Sequence, residues 1–358
     1  MNNFKTKIQA LSHSQLVIPI LAFLLLIVFN LIRDPNFFSV ETLVNSYGNK
    51  VLAGNPIAIL NGASELAILA MGMTLVTSAP KGQDISVGAN AAIAGSVFVK
   101  ILSSGQINIG KIALAFLIGC VVSMIFGAFN GTLVAIFKIQ PMIATLILFT
   151  IGRSIAYWIN GGATPTVSDP AVVAIGGFIP GITIPTPIFV VIAFGICFAL
   201  ILKFTNIGLY SQAVGINGET ARLNGINVVW VKMLTFIILG ICVAAAGVIN
   251  VSRLGLINHE TILTGIEMDA ILAVAIGGNA LGGGKFNMIG SIIGAYVIQG
   301  LTTTLYAMKV SSTDVKAYKA IVIIIIVVVG SPVVKEKVGQ LWGKLFSSKD
   351  TDKQKEVA

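Results

Sequence analysis

Long apolar runs broken by short polar stretches recur along this chain. Runs of about 17–25 such residues match the length a helix needs to cross a hydrocarbon core. The first covers residues 15–32 and is followed by a hydrophilic interval to about Gly54. Further runs cover 56–79, 85–102, 109–137, 141–159, 188–202, 233–251, 265–281, 286–306 and 318–329. The pattern predicts an all-α polytopic membrane protein of about ten transmembrane helices. The stretch 161–187 is rich in Gly and Pro and carries no Lys or Arg, so it reads as an external loop.

Composition removes the competing classes. With 56% hydrophobic residues, 10% charged residues and a mean hydropathy of +0.94, the 358-residue chain leaves no room for a soluble domain. The net charge of +9 is not gathered into an aromatic-laced basic patch, so nucleic acid is not an expected partner; membrane lipid is. The cations instead report topology. Lys5 and Lys7 precede the first run, Lys138 marks an inside turn, and Lys335, Lys337, Lys344, Lys349, Lys353 and Lys355 follow the last run. The positive-inside rule then puts both termini in the cytoplasm. A transmembrane unit over residues 1–334 and a basic, polar cytoplasmic tail over 335–358 follow. The first run lacks a small-residue cleavage site and is met by Arg33-Asp34-Pro35, so it reads as a retained helix rather than a signal peptide.

Little in the runs suggests chemistry. Cys120, Cys197 and Cys242 fall in apolar surroundings without a pairing or metal motif, and His13 and His259 are isolated. Neither catalysis nor a bound metal or other cofactor is expected. Gly127 with Gly131, and Gly290 with Gly294, have the small-xxx-small spacing that lets helix backbones approach closely in a membrane. Ionisable groups inside a span are costly, so Glu65 and Arg153 either line a water-accessible pathway or make a bond between helices. Asn130 suits helix packing, and Asp84, Glu267 and Asp269 sit near span ends. So few intramembrane carboxylates are thin for an ion-driven carrier.

Nor does the chain carry its own nucleotide site. The run GGNALGGGKF from Gly277 would need Gly at Asn279 and Ser or Thr at Phe286 to form a phosphate-binding loop. An energy source would lie on another subunit, which needs something to grip. The polar stretch GINGETARLNGINVVWVK, residues 215–232, suits that role: Glu219 to Leu223 can form a short helix bounded by Gly218 and Gly225, with Arg222 on one side. An ordinary solvated loop is the alternative.

These motifs carry a family resemblance. AVGINGETARLNGINV resembles the A-x-G-x-N-x-x-A-A-R-x-x-G-I-x-V pattern of permease subunits of ribose- and galactose-type ABC sugar importers. The likeness extends over about 55–301, through GMTLV, GQDISVG, FNGTLVAIFKIQPMIATLILFTIGRSIAY, MDAILAVAIGG and GGGKFNMIGSIIGAYVIQG, and the wording is most similar to galactofuranose importer permeases. The resemblance implies a type II importer bundle in the bacterial inner membrane. It also implies a second permease, identical or paralogous, a cytoplasmic ABC ATPase that binds the ATP, and an extracytoplasmic sugar-binding protein. Gly215, Asn217, Glu219, Ala221, Arg222 and Gly225 become the ATPase-coupling loop, with the turn from Gly282 to Asn287 as a rival or additional contact. Glu65, Asp84, Asn130, Gln140, Arg153 and Asp269 become candidates for the translocation pathway or its gates.

Two departures stand out. Pro80, Lys81, Gly82 and Gln83 precede Asp84 where the family has a shorter Gly-Gly-Ile, and Thr220 replaces an alanine of the cytoplasmic pattern. The resemblance also admits a nucleoside or autoinducer as cargo, and the residues alone admit an ATP-independent carrier or channel for a small polar solute.

Overall fold

The computed structural model describes residues 16–44 and 48–330. The lysines expected to fix both termini, His13 and the tail over 335–358 lie outside those residues. The chain forms helices α1 (Val17–Arg33), α2 (Asn55–Ser78), α3 (Val87–Leu102), α4 (Ile109–Ala135), α5 (Pro141–Ile159), α6 (Pro170–Gly176), α7 (Thr186–Phe204), α8 (Ile207–Ile216), α9 (Gly218–Leu223), α10 (Val228–Leu254), α11 (Ile266–Ile276), α12 (Met288–Ala307) and α13 (Ser312–Gly330). Strands β1 (Glu41–Val44) and β2 (Lys50–Ala53) pair antiparallel between α1 and α2, with Thr42 opposite Leu52. The expectation of a purely α-helical chain is corrected by this hairpin. Its β-branched Thr42, Val44 and Val51 favour a pleated strand over a loop.

Six of the described helices, α2, α4, α5, α7, α10 and α12, are long and apolar enough to cross a membrane, not the ten the runs predicted. The shortfall has physical causes. Helices α1, α3 and α11 are short, and α13 carries Asp314, Lys316 and Lys319 in its first half. The run over 265–281 yields only the eleven residues of α11, because the turn before it and Gly277 after it break the helix. The expected external loop contains α6, started by Pro170 and capped by the Asp169 carboxylate, which accepts from Ala171 N at 2.9 Å.

Helix α2 sits at the centre, buried from Ala63 to Ser78, with α7, α10, α11 and α12 around it. A helix apolar on every face needs this position or a lipid boundary. Its Ala63, Ala67, Ala70 and Gly72 make it thin enough to be surrounded. Glycines set the close contacts as their spacing predicted. A Cβ on Gly127 would overlap the Phe236 carbonyl, and one on Gly131 would come within 3.0 Å of the Met233 Cα, so α4 and α10 lie backbone to backbone. Gly290 and Gly294 do the same against Gly277 and Ala273 of α11. Helices α4, α5 and α7 form the apolar outer surface.

Candidate functional site

The break between α2 and α3 organises one end of the bundle. Helix α2 stops at Ser78, Lys81 adopts a positive φ of 62°, and α3 begins only at Val87. Asp84 fills the gap. Its Oδ1 accepts from Ser86 N at 2.7 Å and from Ser86 Oγ at 2.6 Å. Asn130 Nδ2 donates to Ser86 Oγ at 3.0 Å and to Asp84 Oδ2 at 3.4 Å. Asp84 thus places its carboxyl group at the start of α3, where it satisfies the Ser86 backbone N–H that the helix leaves free. All three side chains are buried, and no cation pairs with Asp84 among the described residues. Ile85 N donates to Thr145 Oγ1 at 3.2 Å, so this polar unit ties α3, α4 and α5 together. Gln140 stands exposed at the start of α5 and takes no part in it.

The polar stretch 215–227 packs on the same end. Asn217 caps α9 through Oδ1, which accepts from Glu219 N and Thr220 N, each at 3.1 Å. Ala221 is buried against Ala79, Val214 and Val231, while Leu223 is 83% exposed. Glu219 and Arg222 face solvent, 3.7 Å apart, a spacing at which an exposed pair contributes little to stability. Gly225, at φ 82°, ends α9 in the left-handed region that suits glycine. A groove of about 410 Å³ runs between α8 and α9, bordered by Leu209, Tyr210, Ile216, Thr220 and Asn224.

Three segments far apart in sequence meet under this helix. A Cβ on Gly215 would overlap the Ser78 carbonyl and lie 2.5 Å from Gly284 N, and Gly284 N donates to Ser78 O at 3.1 Å. Lys81 Nζ donates to Ile216 O at 3.3 Å, and Gln83 Nε2 to Leu281 O at 2.8 Å. The longer turn containing Lys81 therefore wedges between the 215–225 stretch and the turn that ends in Asn287. Asn287 caps α12 through Gly290 N at 3.0 Å and is itself held by Asn279, whose Oδ1 accepts from Asn287 N at 2.6 Å. Lys81 and Lys138 both lie near enough to Lys232 on this end to repel its charge.

The remaining ionisable candidates are spoken for. Glu65, buried in α2, pairs with Arg253 at 2.9 Å. Arg253 also donates to Asn61 O at 3.0 Å, Asn61 Oδ1 at 3.1 Å and Gly176 O at 3.4 Å. The sequence reading missed Arg253 because it fell just beyond the predicted span. The available signal was that a carboxylate inside a membrane needs a cation at matching depth. Arg153 donates to the carbonyls of His259, Glu260 and Ile262 at 2.9, 3.0 and 3.1 Å. Asp269 pairs with Lys319 of α13 at 2.7 Å, so the one lies on a short helix and the other on the last. The structure joins Asp84 to Asn130 but keeps Glu65, Arg153 and Asp269 in separate clusters. Among the described residues, no three His, Cys, Asp or Glu side chains gather into a metal site.

A bundle of apolar helices with broken segments, buried polar clusters and one short capped helix exposed at an end is the architecture of a membrane transport subunit. Residues 55–330 match the model of the branched-chain amino acid transport system / permease component family, and the chain belongs to it. Members of this family are permease subunits and are not enzymes. The galactofuranose transporter permease protein YtfT of Escherichia coli (strain K12) is 36% identical over 313 residues, covering 87% of this chain and 88% of its own. The fructose import permease protein FruF of Bifidobacterium longum (strain NCC 2705) is 35% identical over 338 residues, covering 92% and 91%. The ribose import permease protein RbsC of E. coli K12 is 34% identical over 316 residues, covering 87% and 92%. No solved structure matches the chain.

Proposed function

We propose that this chain is the transmembrane permease of an ABC importer for a neutral monosaccharide, of the galactofuranose type, driven by ATP hydrolysis on a separate cytoplasmic subunit. Relatives named for three different sugars support the substrate class. A second permease and an extracytoplasmic sugar-binding protein complete the assembly. Helix directions support about ten crossings, because the short α3 and the non-helical 255–265 with α11 each carry the chain between ends. The lysine cluster around Lys81, Lys138 and Lys232 supports a cytoplasmic location for α8 and α9. The registers Asn30 with Thr304 and Asp269 with Lys319 support a start of α1 and an end of α13 on that side too.

The observation that carries the reading is the close packing of Gly215 on Ser78 and Gly284. An ATPase seated in the α8–α9 groove would push on a helix whose cap and buried Ala221 leave it no freedom of its own. The motion would reach Ser78 and Lys81 directly, and three residues further on Asp84, which holds the start of α3. Tightly packed contacts transmit such displacements rather than absorb them. Purification from the native membrane in mild detergent tests this. The account expects an ATPase chain to co-purify and its hydrolysis to rise when a sugar-loaded binding protein is added; a chain that purifies alone would count against it.

A further inference from the structure

Beyond the outer end of α10 the chain turns back into the bundle before starting α11, and its depth follows from the packing. A Cβ on Gly247 would lie 2.8 Å from the Ala91 carbonyl oxygen, and one on Gly95 would lie 2.9 Å from Val251, so α3 and α10 run side by side in the same direction. A Cβ on Gly88, about two turns deeper on α3 than Gly95, would lie 2.9 Å from Leu263 O and 2.7 Å from Glu267 Oε2. At the helical rise of about 1.5 Å per residue, Leu263 therefore sits on the order of 15 Å below the outer end of a helix about 40 Å long, while Ile257 and Ile262, both against Gly95, lie nearer that end. Leu263 is thus at hydrocarbon depth.

Such a turn cannot stand against lipid. Its backbone is non-helical, and Glu260, Thr261 and Thr264 are exposed. Glu260 makes no ion pair among the described residues. Irregular backbone at this depth persists where protein covers it or where it lines a water-filled cavity. One side is covered: Arg153 holds three of its carbonyls, His259 packs edge-on against Tyr157 with ring centroids 4.9 Å apart, and Glu267 is buried beside Gly88. The other side, carrying Glu260, Thr261 and Thr264, is open.

We propose that the turn over 258–265 is a re-entrant lining of the translocation pathway, in which the Glu260 carboxylate and the Thr261 hydroxyl face a polyhydroxylated solute, while Thr264, whose hydroxyl donates to the Glu260 and Thr261 carbonyls at 3.1 and 3.0 Å, offers only an acceptor. Arg153 is its positioning residue, holding three backbone carbonyls of the turn. The inference rests on the permease reading and deepens it. A carboxylate facing the pathway, with the nearby Arg153 spent on the turn, favours unphosphorylated sugars over anionic ones.

Thiol chemistry tests it. Cys197 is exposed on α7, at about the same distance from the outer end of its helix, and serves as the lipid-facing control. Glu260→Cys and Thr264→Cys variants of the full chain, in right-side-out and inside-out membrane vesicles without ATP, are treated with a charged, membrane-impermeant maleimide and the labelled peptides quantified. Labelling of both positions from at least one face, tenfold or more faster than Cys197, is the expected result. Labelling no faster than Cys197 from either face would overturn the proposal while leaving the ATPase reading to its own test. For Arg153, an Arg153→Lys variant that keeps one bond in place of three should change the labelling rate at residue 264 severalfold, and an unchanged rate would refute the positioning role.

Discussion

Replacing Arg253 by methionine should damage this protein more than any other single surface-reaching change. Glu65 is 2% exposed at the centre of the bundle, and Arg253 is its ion-pair partner at 2.9 Å. Removing one member of a buried pair strands the other charge, which typically costs about 3–5 kcal/mol. Because the Arg253 side chain is 28% exposed, water reaches part of the site, and the low end of that range applies. Three further bonds, two to Asn61 and one to Gly176, are lost at a net of about 1 kcal/mol each or less. At roughly 2 °C per kcal/mol for a chain of this size, the midpoint of thermal unfolding in detergent should fall by on the order of 6–10 °C. A Glu65→Leu/Arg253→Met double variant removes the stranded charge and should recover more than half of that loss. A fall below about 2 °C for the single variant, or a double variant no more stable than the single, would refute the argument that the pair's charge balance holds these helices.

Arg222→Glu should leave the unfolding midpoint within about 2 °C, since Arg222 is exposed and touches no span, yet hydrolysis of ATP by the assembled complex should continue without sugar uptake. Normal uptake by this variant would remove the coupling role of α9. Gly215→Ala should destabilise the chain by about 1–3 kcal/mol, because its Cβ meets backbone on two sides and neither can rotate away; chemical unfolding measures it. Asn130→Ala should cost about 1–2 kcal/mol by taking the amide from Asp84 and Ser86, and Asn130→Asp should be worse, since it sets two carboxylates together.

How far the sequence could be read depended on whether the relevant force is local. The apolar runs located α2, α4, α5, α7, α10 and α12 because burial in lipid is written residue by residue. They overcounted full-length spans because a run does not reveal where backbone leaves the helix. At Pro80–Asp84 and at 258–265 the chain is irregular, tied by Asn130 and Arg153 from other helices. The β1–β2 hairpin was invisible as an element because its strands are short and mostly exposed. Gly225 ends α9 as the local pattern suggested, but the helix starts at Gly218 itself, because the Asn217 side chain caps it one residue earlier than the expected Gly218 boundary. That Glu65 needs a cation was legible, but that Arg253 supplies it, and Lys319 pairs with Asp269, was not, because both approach only through tertiary packing.

Concentrative uptake is the most direct test of the central claim. The chain, its co-purifying ATPase and any second permease are reconstituted into proteoliposomes, with ATP on the side bearing α9 and a sugar-loaded binding protein on the other. The account predicts sugar accumulating above its external concentration only when the ATPase and ATP are both present, with none moved by this chain alone. Equilibration of sugar by the chain alone, unaffected by ATP, would contradict it.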